Sequence, residues 1–155
     1  MELKTKINAE DGRQDLTITR EFELPVELLF KAHAEAALVE QWMGTKVLKL
    51  ESKNHGSYQF ETTDAKGNVV FKANGVIHAF VDGQKITRTF EMDNAPFGVQ
   101  LELYTFEKLT DDTSKLHIHS IYESGALRDQ VLKLPFAQGL NWAHNRLQEV
   151  INKLK

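Results

Sequence analysis

PFAQGLNWAHNRLQEVINKL, residues Pro135 to Leu154, decides the fold. Phe136, Leu140, Ala143, Leu147, Val150, Ile151 and Leu154 recur at helical spacing on one stripe, which predicts a long amphipathic helix that Pro135 can start. Glu149 and Lys153 lie four apart in the favourable order on its other side and add a little stability. A helix with one apolar stripe has to bury it against another element.

What lies upstream is a run of strands. Leu16 to Leu24 alternates, with Leu16, Ile18, Phe22 and Leu24 on one face and Arg20 interrupting it. Further strands are predicted over Lys46–Ser52, Ser57–Thr63, Val69–Val81, Lys85–Met92, Val99–Lys108 and Lys115–Tyr122. The stretches between them, such as Asn54-His55-Gly56, Asp82-Gly83 and Thr110-Asp111-Asp112, are built of residues that tolerate turn geometry, so neighbours pair antiparallel. Two short helices follow the first strand: one opened by Pro25 and carrying Val26, Leu29, Phe30 and His33, the other over Ala36 to Met43 and ended by Gly44. The expectation is one α+β domain over residues 1–155, with residues 1–14 a polar N-terminal segment and an antiparallel sheet of six or seven strands covered by the C-terminal helix.

Composition narrows the function classes. The chain has 155 residues, 41% hydrophobic and 26% charged, with a net charge of −3 and acids and bases mixed along it. No Lys/Arg cluster of the kind that grips phosphate backbones is present, which argues against nucleic acid. MELKTKINAEDGRQD is too polar for a signal peptide and no apolar run is long enough to span a bilayer, so a cytoplasmic protein without a membrane span is expected. With no cysteine there is no disulfide or thiolate chemistry. Repeats and low-complexity segments are lacking.

The order of elements resembles the helix-grip fold of the START-like superfamily, in which a curved antiparallel sheet wraps around a long C-terminal helix. Within it, Ile18-Thr19-Arg20-Glu21-Phe22-Glu23-Leu24-Pro25-Val26-Glu27-Leu28-Leu29-Phe30 followed by Trp42 is similar to the opening of one family. That family is named for the C-terminal domain of the activator of the ninety-kilodalton heat-shock chaperone's ATPase. Gly56-Ser57-Tyr58-Gln59-Phe60, Gly67, Gly75 and Gly139-Leu140-Asn141-Trp142-Ala143-His144 resemble its later landmarks, and the likeness runs from about Leu16 to the end. The pattern departs at Leu24-Pro25, at Met43-Gly44-Thr45 after Trp42, and at Arg88, where an apolar or aromatic residue is expected. The resemblance implies a fold and a possible chaperone or other protein partner; it does not by itself supply an activity.

Several residues carry candidate chemistry. His117-x-His119 with Glu123 has the spacing of a strand-borne metal motif, but Leu116 and Ile118 have the stronger claim on the core, which turns both histidines outward, and no metal is expected. His144 flanks the helical stripe and reads as a satisfied inward histidine or a ligand contact. Tyr58, Phe60, Phe90, Tyr104, Phe106, Tyr122 and Phe136 are either core or the wall of a cavity between sheet and helix. In Val99–Lys108 the apolar residues occupy both phases, which a bulge would reconcile. Arg88 shares the inward face with Ile86, Phe90 and Met92 and requires an anion, either an acidic side chain or the head group of an amphipathic acid.

The resulting expectation is non-catalytic binding of a small hydrophobic or amphipathic molecule, a lipid, a fatty or aromatic acid or a polyketide-like compound. Its site would use Phe30, Trp42, Tyr58, Phe60, Ile86, Arg88, Phe90, Tyr104, Ile118, Ser120, Tyr122, Phe136, Leu140 and His144, with no cofactor. The alternative is a protein-binding, chaperone-associated module without a small ligand. An enzyme would need an acid/base pair aimed into the cavity, and no nucleophile–base constellation or phosphate loop is visible.

Overall fold

The structure, a computed structural model, describes residues 3–155; the first two residues of the polar N-terminal segment lie outside the described residues. The chain runs β1 (Lys6–Asn8), β2 (Asp15–Phe22), α1 (Val26–Ala34), α2 (Ala36–Met43), β3 (Lys46–Leu50), β4 (Gly56–Thr63), β5 (Val69–Val81), β6 (Lys85–Met92), β7 (Val99–Lys108), β8 (Ser114–Ile121), α3 (Gly125–Leu132) and α4 (Phe136–Asn152). All strands join one antiparallel sheet in the order β1-β2-β8-β7-β6-β5-β4-β3. This is the helix-grip arrangement, with eight strands among the described residues rather than six or seven. The extra one, β1, is polar and only three residues long, and it is held by pairing Lys6–Asn8 with Thr17–Thr19.

Alternation puts Leu116, Ile118 and Ser120 inward from β8, and Leu16, Ile18, Arg20 and Phe22 inward from β2. Pro25 caps α1, giving its carbonyl to the amides of Leu28 and Leu29 at 3.0 and 3.1 Å. Gly44 ends α2 in the left-handed region, where its N–H reaches the Glu40 carbonyl at 3.2 Å. Helix α4 buries Leu147, Val150 and Ile151 in the common core with Phe22, Leu24, Leu29 and Trp42. It stops at Asn152, so Leu154 falls beyond the stripe and is exposed. No helix among the described residues is long and apolar enough to cross a membrane.

Helix α3 has weak amphipathic character and is held by polar contacts. Ser124 caps it by accepting the Leu127 N–H at 3.2 Å. Arg128, 2% exposed, donates from Nη1 to the Glu10 and Asp15 carbonyls at 2.7 and 3.0 Å, tying the helix to the N-terminal segment.

Strand β7 contains no bulge. Its pairing is continuous on both sides, with Arg88 opposite Glu102 and Tyr104 opposite Ile118. The phase Glu102, Tyr104, Phe106 faces the helices, and Val99, Leu101 and Leu103 take the outer face. Register shifts occur instead at Val47/Lys49, Thr62/Thr63 and Ile77/Ala79, and the last lets both Ile77 and Phe80 turn inward on β5.

Candidate functional site

Between the β6–β7 end of the sheet and the α3–α4 turn lies a cleft of about 410 Å³. Strand β6 contributes Phe90 and Met92, β7 contributes Gln100 and Glu102, and Tyr122 follows β8. The opposite wall is Val131 of α3, Leu134 and Pro135 of the turn, and Phe136 at the start of α4. The walls are apolar apart from Gln100, Glu102 and the Tyr122 hydroxyl. Burial pushes the Tyr122 phenol up to about 12, helped by the nearby Glu102 charge, so it is a neutral hydroxyl at physiological pH.

Behind Glu102 sits Arg88. Its Nε donates to Glu102 Oε1 at 2.8 Å and its Nη2 to the Tyr104 hydroxyl at 3.0 Å. The guanidinium carbon lies 4.7 Å from the centre of the Tyr58 ring and 4.8 Å from that of Tyr104, so two aromatic faces flank the cation. Gln100 donates from Nε2 to the second Glu102 oxygen at 3.0 Å. The anion that Arg88 requires is therefore supplied within the chain, by the residue facing it across the β6–β7 ladder.

The residues expected at a site are distributed as follows. Phe90, Tyr122 and Phe136 line the cleft. Arg88, Tyr104 and Tyr58 form the layer behind its polar end, while Leu140 is half-buried one turn along α4 from Phe136. Phe30, Trp42, Phe60, Ile86, Ile118, Ser120 and His144 are buried in the core, with the Trp42 indole donating to the Ala32 carbonyl at 2.8 Å. Met92, Gln100, Glu102, Val131, Leu134 and Pro135 line the cleft without having been expected there. For Glu102 a signal existed: it shares the phase of Tyr104 and Phe106, and an inward Arg88 demanded a carboxylate.

His117 and His119 point outward to different carboxylates. His117 Nε2 lies 2.8 Å from Glu107 and His119 Nε2 2.7 Å from Asp15. Glu123 instead accepts the Val99 N–H at 2.7 Å, so the three residues of the metal-like spacing diverge.

Two other histidines lie inside. His144 is 1% exposed, with Nδ1 2.7 Å from the Thr5 hydroxyl and its ring edge-on to Phe22 at 5.6 Å. His33 donates from Nδ1 to the Leu29 carbonyl at 2.9 Å and packs on Trp42, Tyr104 and Phe106. Burial lowers His33 to about 4 and His144 to about 3, so both are neutral in the fold.

An unfolded chain takes up protons on both below its ordinary histidine pKa, whereas the folded chain does not. Their contribution to stability is thus complete above about pH 6.5 and is lost as pH falls toward the folded values, at up to about 1.4 kcal/mol per pH unit for each residue. Urea unfolding at a series of pH values between neutral and mildly acidic is expected to show this decline, and His144→Gln is expected to flatten it. A slope unchanged in the variant would contradict the assignment to His144.

Solved structures share this architecture. Protein Ms6760 from Mycobacterium smegmatis is 20% identical with a TM-score of 0.84, the match covering 95% of this chain and 96% of that one. A Rhodobacter sphaeroides protein is 17% identical with a TM-score of 0.87, covering 97% and 99%. Protein NE0264 from Nitrosomonas europaea is 17% identical with a TM-score of 0.78, covering 96% and 100%. At such identities the likeness is one of fold. No curated protein matches the chain. Residues 23–152 match the family described as Activator of Hsp90 ATPase homolog 1-like protein, which takes in helices α1 to α4 and the strands from β3 to β8, and the chain belongs to that family.

Proposed function

We propose that the protein binds a small, mainly apolar molecule, without catalysis, in the cleft between β6–β7 and the α3–α4 turn. The observation that carries this reading is the cleft itself. About 410 Å³ of space lies open against Phe90, Met92, Val131 and Phe136, with a few polar groups gathered at one end. That volume sits in the lower part of the range of small-molecule sites and suits a compact ligand. A protein-docking role is the second reading, favoured by Trp142 of α4, a residue 60% exposed.

The neutral fluorophore N-phenyl-1-naphthylamine tests the first reading. It is expected to bind one-to-one with a blue-shifted emission. Met92→Trp, which fills the cleft from the β6 side, is expected to weaken it by about tenfold or more while leaving the unfolding midpoint little changed. Binding that is indifferent to the tryptophan places the probe elsewhere and removes the support.

A further inference from the structure

The polar end of the cleft has a definite hydrogen-bonding sense. Glu102 is 7% exposed, so more than nine-tenths of it is buried, yet it forms part of the cleft lining. Each of its oxygens accepts one internal N–H, from Arg88 at 2.8 Å and from Gln100 at 3.0 Å. A carboxylate oxygen has two lone-pair directions, so one internal bond to each leaves acceptor capacity. Gln100 must turn its NH₂ toward a group that can only accept, which leaves its carbonyl oxygen as an acceptor and its second amide hydrogen as a donor, so the side chain is balanced and the Glu102 carboxylate sets the sense of this end. Arg88 does not line the cleft; it lies on the far side of Glu102 between the rings of Tyr58 and Tyr104. An incoming head group meets the Glu102 carboxylate before it meets the cation.

We propose that the cleft selects an apolar ligand whose polar end donates hydrogen bonds, an alcohol or an amine, and disfavours one ending in a carboxylate. This rests on the reading that the cleft binds a small molecule, and it reverses the sign of head group that an inward arginine alone suggests. The Arg88–Glu102 pair is neutral in sum, so an alcohol is accepted without a charge of its own. An ammonium gains from the adjacent carboxylate. A ligand carboxylate would be desolvated beside a buried like charge. The Tyr122 hydroxyl can donate or accept and does not set the preference.

The test is displacement of bound N-phenyl-1-naphthylamine near neutral pH by three probes of equal chain length: octan-1-ol, octylamine and octanoate. Octanol and octylamine are expected to displace it at concentrations about tenfold or more below that needed for octanoate. Glu102→Gln is expected to reduce the octylamine advantage while changing octanol less. Because that substitution also touches Arg88, Gln100→Leu serves as a second variant, with a smaller loss expected for both donor-headed probes. Octanoate displacing as well as the other two, or no displacement by any probe while the fluorophore still binds, overturns the head-group assignment. Absence of fluorophore binding overturns the reading beneath it as well.

Discussion

Replacing Arg88 with methionine is expected to destabilise the fold by about 3–5 kcal/mol, because it strands the Glu102 carboxylate in a site that is nine-tenths buried. The pair differs from the ion pairs on the surface. Lys31–Glu35 and Lys49–Glu51 are separated by 3.6 Å between exposed side chains, where water and salt screen most of the attraction. Arg88 and Glu102 sit at 2.8 Å with side chains only 14% and 9% exposed, and the guanidinium also gives up a hydrogen bond and two ring faces when it is removed. The signature is in the double variant: Arg88→Met with Glu102→Met removes both charges and is expected to recover most of the loss, since an apolar pair of similar volume packs against Tyr58 and Tyr104. Urea unfolding of the two single variants and the double one closes the cycle. A single-variant loss below about 1 kcal/mol would mean that water reaches the pair freely.

Gly75→Ala is expected to cost about as much by a different route. Gly75 stands opposite Tyr58 in the β4–β5 ladder, and the Tyr58 ring crosses the glycine to donate its hydroxyl to the Thr89 carbonyl on β6. A Cβ at this position would lie 2.0 Å from that carbonyl oxygen and 2.6 Å from the Tyr58 hydroxyl. The side chain can swing away, but the strand carbonyl cannot. Overpacking at about 1–3 kcal/mol combines with the loss of a buried hydrogen bond at about 1–3 kcal/mol. Thermal unfolding of Gly75→Ala alone and with Tyr58→Phe tests this: the phenylalanine removes the hydroxyl clash but keeps the ring carbon at 2.7 Å and the carbonyl clash, and does not restore the hydrogen bond, so only a small part of the midpoint should return. Full recovery would show that the backbone contact is tolerated.

The elements that periodicity identifies are those whose apolar pattern is unambiguous. Leu116, Ile118 and Ser120 alternate with outward polar residues, and α4 carries Leu147, Val150 and Ile151 on one stripe, so strand, helix and facing follow from spacing alone. Strand β7 resisted the same reasoning because it is apolar on both faces, and the decisive inward residue is a glutamate that hydropathy assigns to solvent. Its placement depends on Arg88 in a neighbouring strand, a contact that local pattern does not contain. Helix α3 was missed for a related reason: its most buried side chain is Arg128, anchored to carbonyls more than a hundred residues earlier in the chain. The cleft is divided in the same way. Its aromatic residues Phe90, Tyr122 and Phe136 were legible as inward-facing, but the turn residues Leu134 and Pro135 line it only because α3 and α4 meet there.

The open sheet leaves two strands, β1 and β3, with a free side for a foreign chain to extend, and both are poor templates. The first is only three residues long. The second is broken by its register shift at Val47/Lys49 and carries exposed lysines at Lys46 and Lys49. The longer strands β5 and β7, the second of them paired without a break, are enclosed by neighbours on both sides. The protein thereby keeps its most adhesive backbone away from other molecules and guards against fibril-like growth, leaving the faces of the sheet and its helices, rather than its rims, to meet partners.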